Sequence, residues 1–191
     1  MRNYSIALVG FALFILAACE QPVPRSSTGP DADYHVAAYV QQQIDYLQKT
    51  QPPVLKSVKT ENEPDETIQV DNLDWTEELS VFEEADITKL TLREYYTSER
   101  QEQPDGGTTI TYTKKPDAKA PVDRLYLQLS PEQRLVFLEA TLVDENLLFF
   151  SKRKAILETN PQTGNLDSYK INGVQKLIFG DSLHYSVQAN L

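Results

Sequence analysis

The sequence predicts an α+β domain: one large, curved antiparallel meander sheet packed by two N-terminal helices, with a half-open barrel as its more strongly curled form. Three observations carry that prediction. Apolar residues recur at helical spacing in two early stretches, at about residues 33–51 and 74–85. From Ile87 onward the spacing changes to period two and stays there, the pattern of half-buried strands. Turn residues then interrupt it at short intervals, and strands joined by short turns pair with their neighbours in sequence.

In the first helix Val36, Val40, Ile44 and Leu47 fall on one face, with Ala37 and Tyr39 flanking and Gln41, Gln42, Asp45 and Gln48 opposite. Asp31 or Asp33 can cap its start, and Pro52 with Pro53 stops it. Such a face docks either on the protein's own sheet or on a partner's helix. Val54–Thr60 and Glu66–Val70 read as short strands around the acidic segment 61–66. Clustered carboxylates suit calcium, but the segment lacks the spaced ligands and glycine of an EF-hand loop. A solvated hairpin tip is expected there, and no metal is assigned. Asp74-Trp75-Thr76-Glu77 has the form of a capping box for the second helix. Trp75, Leu79 and Phe82 line one side of it, a spacing that favours a core position for Trp75 over a ligand platform.

The strands follow. Residues 89–97 carry Leu90, Leu92 and Tyr96 at alternate positions, Gly106-Gly107 turns the chain, and Thr108–Lys114 returns it. After a Pro and Ala loop come Val122–Leu129, residues 135–143 and a long strand over 147–158, separated by turns at 130–133 and 144–146. Residues 160–164 turn the chain again. Strands at 166–171 and 174–179 meet at Asn172-Gly173, which has the form of a type I′ hairpin turn. Gly180-Asp181 leads into the last strand, 183–189. Leu125, Leu127, Leu129, Phe137, Phe149, Ile171, Ile178 and Tyr185 are the candidates for the covered face or its rim, and a one-residue slip inverts the choice within any strand.

The N-terminus has a different character. Arg2 precedes an almost unbroken apolar run from Ile6 to Ala18, and small residues stand before Cys19. That is an export signal, shorter than the roughly 20 apolar residues of a membrane span. Leu16-Ala17-Ala18-Cys19 resembles the bacterial lipoprotein lipobox, a Leu and two small residues before an obligatory Cys. The resemblance implies removal of residues 1–18 by cleavage between Ala18 and Cys19, with lipid on the Cys19 thiol and on the new amino terminus. An ordinary secretory signal with a stray Cys and an uncleaved anchor helix are the alternatives. Residues 19–30 then form a lipidated Cys and a Pro, Ser, Thr and Gly tether, and 31–191 a single domain. Glu20 stands where enterobacterial lipoproteins retained at the inner membrane carry Asp, so the resemblance implies an outer-membrane protein facing the periplasm.

Composition narrows the chemistry. The formal charge is −10, and losing Arg2 makes it more negative, a poor match to nucleic acid or to anionic head groups. The membrane is therefore reached through lipid on Cys19. Cys19 is the only cysteine, so the domain is held by packing, without disulfides or thiolate ligands. His35 and His184 are far apart in sequence, and no hydrolase elbow, zinc-protease or phosphate-loop motif is present. No catalytic residue, metal or cofactor is assigned. Lys152-Arg153-Lys154, the one basic cluster, splits across both faces of a strand and reads as a solubilising edge rather than an anion site.

The outline of early helices over a large antiparallel sheet resembles periplasmic lipoprotein carriers, which implies an acyl chain held in a half-open barrel under a helical lid. Three functions remain open. The favoured one is a non-enzymatic, lipid-anchored envelope protein that binds another envelope component. The second is a carrier or sensor of a lipid or other apolar ligand between sheet and helix. The third is an envelope-polymer hydrolase with paired carboxylates.

Overall fold

A computed structural model of the chain describes residues 34–61 and 64–191. The leader, Ala18, Cys19, the tether and the expected caps Asp31 and Asp33 lie outside the described residues.

Among the described residues nine strands form one open antiparallel sheet: β1 (Val54–Thr60), β2 (Glu66–Val70), β3 (Tyr96–Glu102), β4 (Thr108–Lys114), β5 (Val122–Leu129), β6 (Leu135–Glu145), β7 (Phe149–Thr159), β8 (Leu166–Leu177) and β9 (Ser182–Asn190). Their order is β2-β1-β9-β8-β7-β6-β5-β4-β3. From β3 to β9 the sheet is a pure meander, as the short turns predict. The β1–β2 hairpin adds to its far side by pairing β1 with the last strand, from Leu55 opposite Asn190 to Thr60 opposite Tyr185.

Directly paired residues share a face of a sheet, so the register sorts the side chains. One row crosses the sheet as Lys56, Ala189, Tyr169, Leu157, Leu138, Leu127 and Ile110. The next runs Val58, Val187, Ile171, Ala155, Ala140, Leu125 and Tyr112. Ten of the residues in these two rows are buried. The alternate rows of the opposite face are polar; one reads Lys59, Ser186, Asn172, Lys154, Thr141, Arg124 and Thr113.

The helical residues join the apolar rows in a single core. In α1 (Val36–Thr50) the side chains of Val36, Val40, Ile44 and Leu47 are buried. Gln43, also buried, accepts a 2.9 Å hydrogen bond from the Leu166 main-chain N–H, and the Tyr39 hydroxyl donates to the Gly164 carbonyl at 3.2 Å. His35 occupies the N-cap position without a side-chain cap bond, and Gln51 ends the helix in the left-handed region at φ 42°. Trp75, at 2% exposure, and Phe82 are buried too, the latter edge-on to Tyr169 with 6.1 Å between centroids.

Five expectations need correction. The second helix is two short ones, α2 (Trp75–Glu78) and α3 (Ser80–Glu84). Asp74 caps the first through Thr76 and Glu77 N–H, but the Ser80 hydroxyl bonds back to the Glu77 carbonyl at 2.7 Å, competing with continuation of the helix. Residues 89–97 do not form a strand: α4 (Leu90–Arg93) occupies them and β3 starts at Tyr96. The β3–β4 ladder begins at Tyr96 opposite Lys114 and is continued by one bond from the Lys115 N–H to the Tyr95 carbonyl at 2.8 Å, whereas the backbone of α4 bonds locally, Arg93 N–H to Lys89 carbonyl at 3.1 Å.

The third correction concerns Asn172-Gly173, which makes no turn. β8 runs straight through it, and the hairpin lies at 178–181. Glycine is used there for closeness: Gly173 pairs with Tyr185, and a Cβ on it would overlap the Tyr185 ring. Fourth, the covered face holds Leu125, Leu127 and Leu129, with Phe149, Ile171 and Tyr185 half-buried on the same side, but Ile178 is exposed in the turn after β8. Phe137 sits on the other face, paired with Gln128 and Glu158 and edge-on to Tyr126, because its neighbour Leu138 faces the core; the register shift between Gln128 and Leu129 turns Leu135 inward as well. Fifth, Lys152-Arg153-Lys154 is not on an edge, since β7 is the middle strand of nine.

Candidate functional site

The two hairpins at one end of the sheet are side by side. β6 and β7 turn at 146–148 and β8 and β9 at 178–181. Phe149 pairs with Leu177, and the Ile178 N–H donates to the Leu148 carbonyl at 3.1 Å. The Asn146 side chain accepts from the Leu148 N–H at 2.9 Å, and Gly180 N–H bonds the Leu177 carbonyl at 3.2 Å. These bonds close the turns with apolar residues at their tips. Leu147 is 92% exposed and Phe179 95%, and Leu148, Leu177, Ile178 and Leu183 are exposed beside them. Asp144, Glu145, Lys176 and Asp181, all exposed, rim the cluster. An apolar centre inside a charged rim is the anatomy of a protein interface, and contiguous exposed apolar area is uncommon on a protein that meets only water.

The opposite end of the sheet receives the start of the described chain. The Tyr34 phenol, pushed up to about 12 by burial and held down somewhat by a hydrogen bond with the Leu135 main chain, lies beside the start of β6. Tyr39 reaches the 160–165 turn on that end. The length of β7, 11 residues, separates the two ends by roughly 35 Å at the usual rise per strand residue.

A second feature lies on the helix-free face: a groove of 440 Å³ lined by Lys59, Glu61, Lys152, Lys154, Asn172, Val174, His184 and Ser186, with Thr60, Gly173 and Tyr185 between them. Lys59 pairs with Asp65 at 2.9 Å and Lys154 with Glu139 at 3.0 Å. His184 Nε2 is 3.8 Å from Glu61. Arg153 points to the other side of the sheet and pairs with Glu84 at 2.6 Å.

The remaining polar clusters hold the fold together. Glu78 accepts from Lys56 at 2.5 Å and from the Tyr169 hydroxyl. Burial, then the bond to Glu78 and its charge, keeps the Tyr169 phenol well above its ordinary pKa. Asp86 Oδ1 accepts from the Thr88 N–H at 2.7 Å and from its hydroxyl at 2.6 Å, while His35 Nδ1 lies 3.1 Å from that hydroxyl. His35 and His184 are not brought together: one starts α1, and the other lies on the helix-free face. Trp75 is core. Among the described residues no group of three or more His, Asp or Glu could hold a metal ion, and no helix is long and apolar enough to cross a membrane.

Sequence reasoning passed over the hairpin tips. Their signal is present, since Leu147-Leu148-Phe149-Phe150 and Leu177-Ile178-Phe179 are unbroken apolar runs abutting turn residues, where period two demands polar positions. Comparison with protein-family models, characterised proteins and solved structures finds no match, so the functional reading rests on the surfaces described above.

Proposed function

We propose that the protein is a non-enzymatic envelope lipoprotein, anchored through lipid on Cys19, whose paired hairpin tips dock into an apolar groove of another envelope protein. One observation carries the reading: six large apolar side chains are exposed on two adjacent turns and the strand ends that flank them, inside a charged rim. The helical segments act as a cover for the apolar rows, and the sheet stays open rather than curling into a barrel. The core shared by the helical segments and the sheet is filled by Trp75, Phe82, Tyr169, Ile44 and Leu47, which favours recognition on the outside over carriage of a lipid within.

The anchor fits this arrangement. A chain held at Cys19 reaches Tyr34 after 15 further residues, at most about 50 Å of extended backbone, and enters the domain at the end away from the tips. The test is co-purification from crosslinked membranes with the Leu147→Ser/Phe179→Ser double variant. The reading expects one stoichiometric protein with the native chain and at least a tenfold loss with the variant. Equal recovery by both chains would contradict it.

A further inference from the structure

We propose that the groove on the helix-free face binds a small ligand bearing phosphate or carboxylate oxyanions, with Lys152 as its principal cation. The groove is a two-by-four grid on four adjacent strands. One row reads Lys154, Asn172, Ser186, Lys59, and the other Lys152, Val174, His184 and, by proximity, Glu61. Parity sends the Thr60 and Tyr185 side chains to the opposite face, so their backbone and that of Gly173 form the floor. At the usual strand spacing the roots of Lys154 and Lys59 stand about 14 Å apart, and Lys152 stands about 7 Å along β7 from Lys154. A volume of 440 Å³ suits a small molecule, for which sites run roughly 300–1,000 Å³.

Three features separate this grid from an ordinary solvated face. Charged residues commonly guard sheet edges, but β7 is the central strand, so Lys152 and Lys154 protect no edge. The chain as a whole is strongly acidic, yet this groove collects three lysines and a histidine against one carboxylate, Glu61. The lysines also differ in state. Lys59 and Lys154 are held by Asp65 and Glu139, whereas Lys152 has Val143 and Val174 as its cross-strand neighbours and no ion-pair partner among the described residues.

An ammonium flanked by apolar side chains attracts an oxyanion more strongly than one already neutralised in water. Asn172 and Ser186 supply uncharged donors between the cations, and Val174 offers an apolar contact for the body of the ligand. Lysine acts as a point charge toward phosphate, so the grid selects charge and size rather than one fixed oxyanion geometry. The site lies on the face of the sheet away from the core and does not depend on what the hairpin tips bind.

The test is isothermal titration of the full-length chain at low salt with inorganic tripolyphosphate and, separately, citrate; phosphatidylglycerol vesicles form a third arm. The expected result is saturable one-site binding of at least one soluble anion, the better of the two naming the oxyanion. Lys152→Glu should weaken it at least tenfold. Lys170→Glu, on the same face but outside the groove, should change it less than twofold, with both variants matching the native circular dichroism. Neither soluble anion binding, binding to vesicles alone, or equal weakening by the two variants would overturn the proposal.

Discussion

Asp86 Oδ2 accepts a 2.8 Å hydrogen bond from the main-chain N–H of Ala37, 49 residues earlier in the chain. The first turn of a helix leaves N–H groups without partners, and a capping residue normally supplies the acceptor from within the same few residues. Here a carboxylate only 5% exposed does so from the loop after α3, while its other oxygen fixes Thr88. One residue thus caps α1 and joins it to the short helical segment. Asp86→Ala should lower stability by about 1–2 kcal/mol, the usual worth of a cap, read as a lower urea midpoint. Asp86→Asn, which keeps an acceptor oxygen, should lose less; equal loss in both would place the effect in the charge.

Gly173 and Tyr185 give a second prediction. Because a Cβ at 173 would overlap the ring, Gly173→Ala must swing Tyr185 aside and forfeit a cross-strand contact, at a cost of about 0.2–1 kcal/mol. With Tyr185→Ala already in place the same change should be neutral or stabilising, since alanine loses less backbone freedom than glycine on folding. A double-mutant cycle measures the coupling, and additive effects would contradict the packing described.

Buried phenols make stability fall at alkaline pH. Tyr34 is raised from 10.0 to about 12, and Tyr39 and Tyr169 are raised as well, chiefly by burial. The folded chain therefore keeps protons that the unfolded chain releases, and unfolding free energy declines as pH rises. The contribution is complete below pH 10 and is lost as the pH passes through the folded pKa values. Urea midpoints at pH 8, 10 and 11 should fall in that order, with a shallower decline in Tyr169→Phe.

Anchoring makes a separate prediction. Several acyl chains hold a protein on a membrane stably where a single chain does so marginally, and under the proposed anchoring those on Cys19 are the attachment, since an acidic domain is repelled by anionic head groups. Cys19→Ser should therefore move the chain, folded by circular dichroism, from the membrane to the soluble fraction. Retention in the membrane would mean that the leader is uncleaved or that the domain attaches by itself.

Much of the sheet was legible in the sequence because its information is local. Val54–Thr60, Glu66–Val70, Thr108–Lys114 and Val122–Leu129 are strands within the expected bounds, each marked by alternation and by turn residues at its ends. What escaped depends on contacts distant in sequence. Asn172-Gly173 has the local form of a turn, but cross-strand packing of Tyr185 uses the glycine instead. Leu90 and Leu92 alternate like a strand, but ladder pairing starts only at Tyr96. The cap on α1 comes from Asp86, and no local pattern around residue 35 reports it. The candidate surfaces were half-visible in the same way: the apolar runs at 147–150 and 177–179 stand in the sequence, but only the register places them side by side.

The docking claim is tested most directly by a photo-crosslinking amino acid placed at Phe179 in the full-length chain, in its native membrane, with Glu99 on edge strand β3 as the control position. The account predicts one dominant protein adduct from position 179 and none from position 99, with the adduct lost when Leu147→Ser is added. Adducts to lipid alone, or equal labelling from both positions, would contradict it.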